Sequence, residues 1–152
     1  MSKNRDALRF FQNFIREMID IGGPNLPKSI SASLGAKLGK IYKERGISGI
    51  ENGLTRIYNG LNAKPKIESI GDNILEIIVT YPKRFCPIGG YNNPKWAKVI
   101  QETICLPYTI AILNTLNSDL KYSIEGRDCI LTSNNKTCHY ILKIEEKKSN
   151  AS

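Results

Sequence analysis

Four cysteines and a single histidine are the residues of this chain best equipped for chemistry. Three of the cysteines fall within residues 103–144. Cys105 opens an apolar run, TICLPYTIAILNTLN, that reads as a helix. Residues 121–131 and 137–144 read as two strands around the polar turn Ser133-Asn134-Asn135-Lys136. A turn centred between Ser133 and Asn134 sets Cys129 opposite Cys138, and facing residues hold their Cβ atoms about 4.5–5.5 Å apart on one face. Two thiolates on a tetrahedral zinc, at Zn–S distances of about 2.3 Å, need sulfurs about 3.8 Å apart, which that pairing allows. The stretch reads as half of a metal site.

The other half needs further donors. Pro107 suits a first helical turn, so Cys105 is expected at a helix N-terminus, where free amides and the helix dipole favour a thiolate. Cys86 lies in a compact Cys-Pro-Ile-Gly-Gly loop whose amides can point at a sulfur. Arg84 and Arg127 flank two of the cysteines and would offset the net charge of four thiolates on zinc. Two alternatives stay open: inert core thiols, since free cysteine packs as a small hydrophobe, and a redox disulfide between Cys129 and Cys138.

Three helices are expected ahead of this site. Residues 6–21 carry apolar side chains in two stripes, more than a one-sided surface helix requires, so this helix should pack on its own core and on a second subunit. Ser29 is read as the cap of a helix running to about residue 45, with Ser31, Gly35 and Gly39 forming a row that permits close approach of a helix or a ligand. Ser48 is read as the cap of a third, with Gly60 or Asn62 as its left-handed exit. The pattern then turns to period two over residues 65–70 and 74–81, joined by Gly71-Asp72-Asn73. Asn93-Pro94 starts a helix to about residue 102, separate from the one that Cys105 opens. The tail from residue 145 should fray. The fold class is α+β: N-terminal helices on a small antiparallel sheet, with a cysteine-bearing C-terminal hairpin, in one domain spanning 1–152.

At 152 residues, 41% hydrophobic and 24% charged, the chain suits one globular domain. No apolar run approaches a membrane span and the N-terminus lacks a signal-peptide pattern, so a cytoplasmic setting is expected, one in which cysteines serve as thiols or metal ligands. The net charge of +8 raises the question of nucleic acid, but the basic residues are scattered and a lysine stripe such as Lys37, Lys40, Lys43 is an ordinary solvated face; nucleic acid is not expected as a partner. His139 follows Cys138 on a strand and points to the opposite face. No phosphate loop is present, and with one histidine no catalytic constellation is visible.

Residues 103–144, ICLPYTIAILNTLN…YSIEGRDCILTSNNKTCHYILKI, resemble the C-terminal part of the 4-vinyl reductase, or hydrocarbon-binding, domain family: a cysteine opening a helix, a strand with a cysteine, a polar turn, then a cysteine leading an aromatic and aliphatic strand. That family is related in fold to vesicle-tethering (TRAPP) subunits, whose N-terminal helices often pair protomers, and its aromatic-sensing members bind structural zinc beside an apolar pocket. The resemblance implies Cys105, Cys129 and Cys138 as zinc ligands, with Cys86 as the candidate for the fourth.

The expected function is zinc-stabilised binding or sensing of an apolar small molecule by a homodimer that signals through a partner protein. The candidate ligand contacts are Phe11, Ile15, Leu38, Gly39, Tyr42, Ile57, Tyr58, Trp96 and Tyr108. The competing classes are a metal-dependent reductase or hydrolase, which needs Cys86 to leave an open zinc position, and a ligand-free dimerisation module.

Overall fold

A computed structural model describes residues 2–91, 93–132 and 135–147. The elements run α1 (Ser2–Gly22), α2 (Asn25–Glu44), α3 (Ile50–Gly60), β1 (Lys64–Gly71), β2 (Ile74–Thr80), α4 (Pro94–Ile100), α5 (Leu106–Leu116), β3 (Leu120–Asp128) and β4 (Thr137–Glu146). The strands form one antiparallel sheet in the order β1-β2-β4-β3. The α+β expectation holds. Asn62 (φ 57°) provides the left-handed exit after α3, and Asn73 (φ 57°) turns the first hairpin.

The inner face of the sheet follows from alternation along its strands. Ile77 and Val79 on β2 stand beside Tyr140 and Cys138 on β4, and Leu142 faces Leu75. These side chains, with Leu54 and Ile57 of α3 and Ile112 and Leu113 of α5, form the core between helices and sheet. Burying each aliphatic side chain of this kind contributes about 1.5–3 kcal/mol. His139 falls on the outer face, opposite Ile78, and its Nε2 lies 3.2 Å from Glu76 Oε2.

Helix α2 begins earlier than Ser29, at Asn25, because Pro27 fits the first turn of a helix, where its missing N–H costs nothing. Strand β4 runs to Glu146, and Lys147 N–H donates to Asp119 O at 3.2 Å, so the chain is held further than expected. The largest departure lies between α4 and α5. The two are not separate helices: they are joined by a wide π turn, Gln101–Cys105, into a continuous helix from Pro94 to Leu116. Leu106 N–H donates to Gln101 O, five residues back, and the Thr103 hydroxyl donates to Val99 O at 2.6 Å. A proline inside a helix lacks a donor and crowds the carbonyl four residues before it; one wide turn just ahead of Pro107 accommodates it. By length and composition alone this fused helix could cross a membrane, a run that the two-helix reading had concealed. In the fold its second half is a core helix, with Thr109, Ile112 and Leu113 buried.

Candidate functional site

The four cysteines converge at one end of the domain. Strand β3 carries a bulge between Gly126 and Asp128, after which Asp128 pairs with His139 and brings Cys129 level with Cys138. Cys129 itself stands just past the strand, in a turn closed by Thr132 N–H to Cys129 O at 2.9 Å. Its thiol and that of Cys138 share a hydrogen bond, which lowers the pKa of Cys129 and, together with burial, raises that of Cys138. Ile130 N–H also donates to Cys138 Sγ at 3.3 Å. The opposition of Cys129 and Cys138 is thus present. The turn centre at Ser133 and Asn134 lies outside the described residues.

Cys86 sits in a loop clasped by two backbone bonds with Gly90, each 2.8 Å, and Gly90 takes the left-handed conformation that closes it (φ 85°). Gly89 N–H donates to Cys86 Sγ at 3.3 Å. Burial nevertheless pushes this thiol up, against the lowering effect of the Gly89 and Ile88 amides. Cys105 requires a correction. It is the last residue of the wide turn inside a continuous helix, not the start of a helix, so no free amides or dipole end stabilise a thiolate there. Burial, then Cys86 and Cys129, push its thiol well up. Arg127 pairs with Glu125 at 3.2 Å and is half exposed, so it is not held against the thiols.

Cys105 and Cys86 thus stand near enough to Cys129 for their charges to interact. Among the described residues, however, no group of three or more His, Cys, Asp or Glu side chains is arranged to hold a metal ion.

All four cysteines line one cavity of about 430 Å³, within the range of about 300–1,000 Å³ typical of small-molecule sites. Its walls come from α1 (Phe11, Phe14, Ile15, Met18), α2 (Pro27, Ile30, Ser31, Leu34), α3 (Ile57, Tyr58, Leu61), the wide turn and start of α5 (Gln101, Ile104, Cys105, Leu106, Tyr108, Thr109) and the inner sheet face. Phe11, Phe14 and Leu34 are more than half exposed and form part of its rim. Tyr58, Tyr81 and Tyr140 are buried, and the Tyr58 and Tyr140 hydroxyls meet at 2.6 Å. Burial is the main force raising all three phenols; the Tyr140 contact adds to it at Tyr58, and the neighbouring Cys138 at Tyr81.

Of the residues expected to touch a ligand, Phe11, Ile15, Ile57, Tyr58 and Tyr108 line this cavity, whereas Leu38, Gly39, Tyr42 and Trp96 do not. Gly39 faces α5: a Cβ there would meet Thr115 Cβ at 2.8 Å and Ile112 O at 3.1 Å. Gly35 likewise abuts Tyr108 O, at 2.5 Å from where a Cβ would stand. The small-residue row is a helix contact, except that Ser31 reaches the cavity wall. Tyr42 is a core residue beneath Arg56, and Trp96 lies under Arg16 of α1. Tyr81 and Tyr140 were missed; Tyr140 was within reach of sequence reasoning, being two residues from Cys138 on the same strand face.

Fold and cavity together define an α+β domain that encloses an apolar chamber closed by tyrosines and thiols. No family model matches the chain, and no curated protein does. Among solved structures, a trafficking protein particle complex subunit 3 from Naegleria fowleri, covalently bound to palmitic acid, superposes with a TM-score of 0.63 at 7% identity, covering 92% of this chain and 93% of that chain. At that identity the likeness is one of fold alone. The chain therefore has a TRAPP-subunit-like fold.

Proposed function

We propose that this domain binds an apolar small molecule of lipid or hydrocarbon type. The observation that carries this reading is the cavity, whose walls are almost wholly apolar and which opens between α1 and α2. The palmitate carried by the fold neighbour supports it. The single histidine, His139, is on the far sheet face, engaged with Glu76. Organic extraction and mass spectrometry of the purified protein should find a co-purifying lipid or hydrocarbon, and adding such a molecule to extracted protein should raise its Tm by mass action. No bound molecule, and no Tm shift across a panel of alkyl and aryl compounds, would overturn the reading.

A second reading is an interaction module, favoured by α1, whose Phe10, Phe14 and Ile21 are 72%, 55% and 84% exposed. A homodimer built on this face belongs to the proposal; light scattering at micromolar concentration should report twice the chain mass, and Phe14→Ser should return it to a monomer. Zinc is a separate proposal, supported by the convergence of four thiols. Elemental analysis should find one equivalent per chain, lost in Cys129→Ser, and metal-free protein purified without chelator would remove it.

A further inference from the structure

The charge on the cavity wall bears on which molecules it takes. Among the described lining residues Asp128 is the one charged side chain, and no lysine, arginine or histidine is present. A carboxylate drawn into this chamber would meet no cation, and leaving a buried charge unpaired is far more costly than burying a neutral hydrogen-bonding group. Tyr58 and Tyr140 supply what a neutral head needs. Their hydroxyls bond to each other at 2.6 Å, which uses one of two O–H donors and leaves the other, with several lone pairs, for a third hydroxyl. Both side chains line the chamber. A phenol is protonated at physiological pH, so both remain hydrogen-bond donors.

We propose that the cavity selects an uncharged amphiphile, an alkyl or aryl body ending in a hydroxyl group, over the matching carboxylate, with the hydroxyl completing a three-membered hydrogen-bond chain at Tyr58 and Tyr140. This rests on the apolar-ligand reading and names the class of ligand within it.

The test is calorimetric titration of the full chain at pH 8 with decanol and with decanoate, each kept below self-association. Decanol should bind about ten-fold or more tightly than decanoate, the penalty of an unpaired buried polar group. Tyr58→Phe and Tyr140→Phe, prepared separately, should each erode that preference several-fold by weakening decanol alone. Decanoate binding as tightly as decanol overturns the selection and leaves the apolar-ligand reading standing. A preference unchanged in both variants overturns the tyrosine assignment. Binding of neither compound overturns the apolar-ligand reading and the selection with it. The wild-type ratio stands even if a variant fails to fold.

Discussion

Along one side of α2, Gly35 and Gly39 let α5 come so near that an added Cβ would strike Tyr108 O or Thr115. Along the other, Pro27, Ile30 and Leu34 face α1 across the cavity, and α1 buries little more than Ile15. The same helix thus builds a closed seam with small residues and an open one with large ones. Bulky side chains that cannot interdigitate leave space, whereas glycines spaced one turn apart remove it. The chamber is a product of that contrast, and it lies on the loosely packed side of the fold.

The sharpest way to break the contrast is at the closed seam. Gly35→Ala should cost about 2–3 kcal/mol, because the new methyl meets backbone that cannot yield as a side chain would. Gly60→Ala, in a helix position with nothing within 4 Å, should instead stabilise by up to about 1 kcal/mol. Urea denaturation of both variants checks the pair.

Alkali tests the buried end of the open seam. Tyr58, Tyr81 and Tyr140 all have pKa values raised by burial. Above about pH 10 the unfolded chain loses phenolic protons that the folded chain keeps, so their contribution is complete below that pH and falls as pH rises. The expected slope is up to about 1.4 kcal/mol per pH unit for each tyrosine. Tyr140→Phe should lose less stability than the wild type between about pH 9.5 and 11, and equal losses would show that this hydroxyl is not buried.

Filling the chamber is a milder intervention. Ile104→Trp, on the wall formed by the wide turn, should reduce uptake of an apolar ligand about ten-fold while changing stability by less than about 1.5 kcal/mol. The smallest effect belongs to Gln12 on α1, whose Nε2 is buried without a partner. Gln12→Met should be neutral or stabilise by up to about 1 kcal/mol, read as a small rise in Tm.

Much of the frame could be read before any coordinates. Alternation placed β1, β2 and β4, Asn62 and Asn73 marked the turns they make, and the spacing of Cys129 and Cys138 foretold that their thiols meet. The bulge at residue 127 was invisible, because the expected strand ran through it unbroken. Pro107 misled: read as a helix start, it sits instead just beyond a wide turn in a longer helix, and Cys105 loses the dipole assigned to it. Leu38, Tyr42 and Trp96 misled for another reason. Apolar periodicity says that a side chain faces inward, and both a packed core and an empty chamber satisfy it. Where neighbours fail to meet is a property of three dimensions, so the cavity wall was only partly legible.

The wide turn at Gln101–Cys105 also sets the rotational phase of the helix. Successive α-helical residues are about 100° apart around the axis, and a π turn takes up one extra residue without that advance. Pro94–Ile100 and Leu106–Leu116 can therefore each aim a buried edge inward, Ala97 and Ile100 on one, Thr109, Ile112 and Leu113 on the other, out of step with a single regular helix. Regular α-helix through this segment at unchanged length would turn everything beyond it by about 100°, whereas deleting one residue would restore regular geometry with the phase kept. Length and phase are coupled at this point: the buried edge beyond the turn should survive the loss of one residue from it better than a regular α-helix of unchanged length.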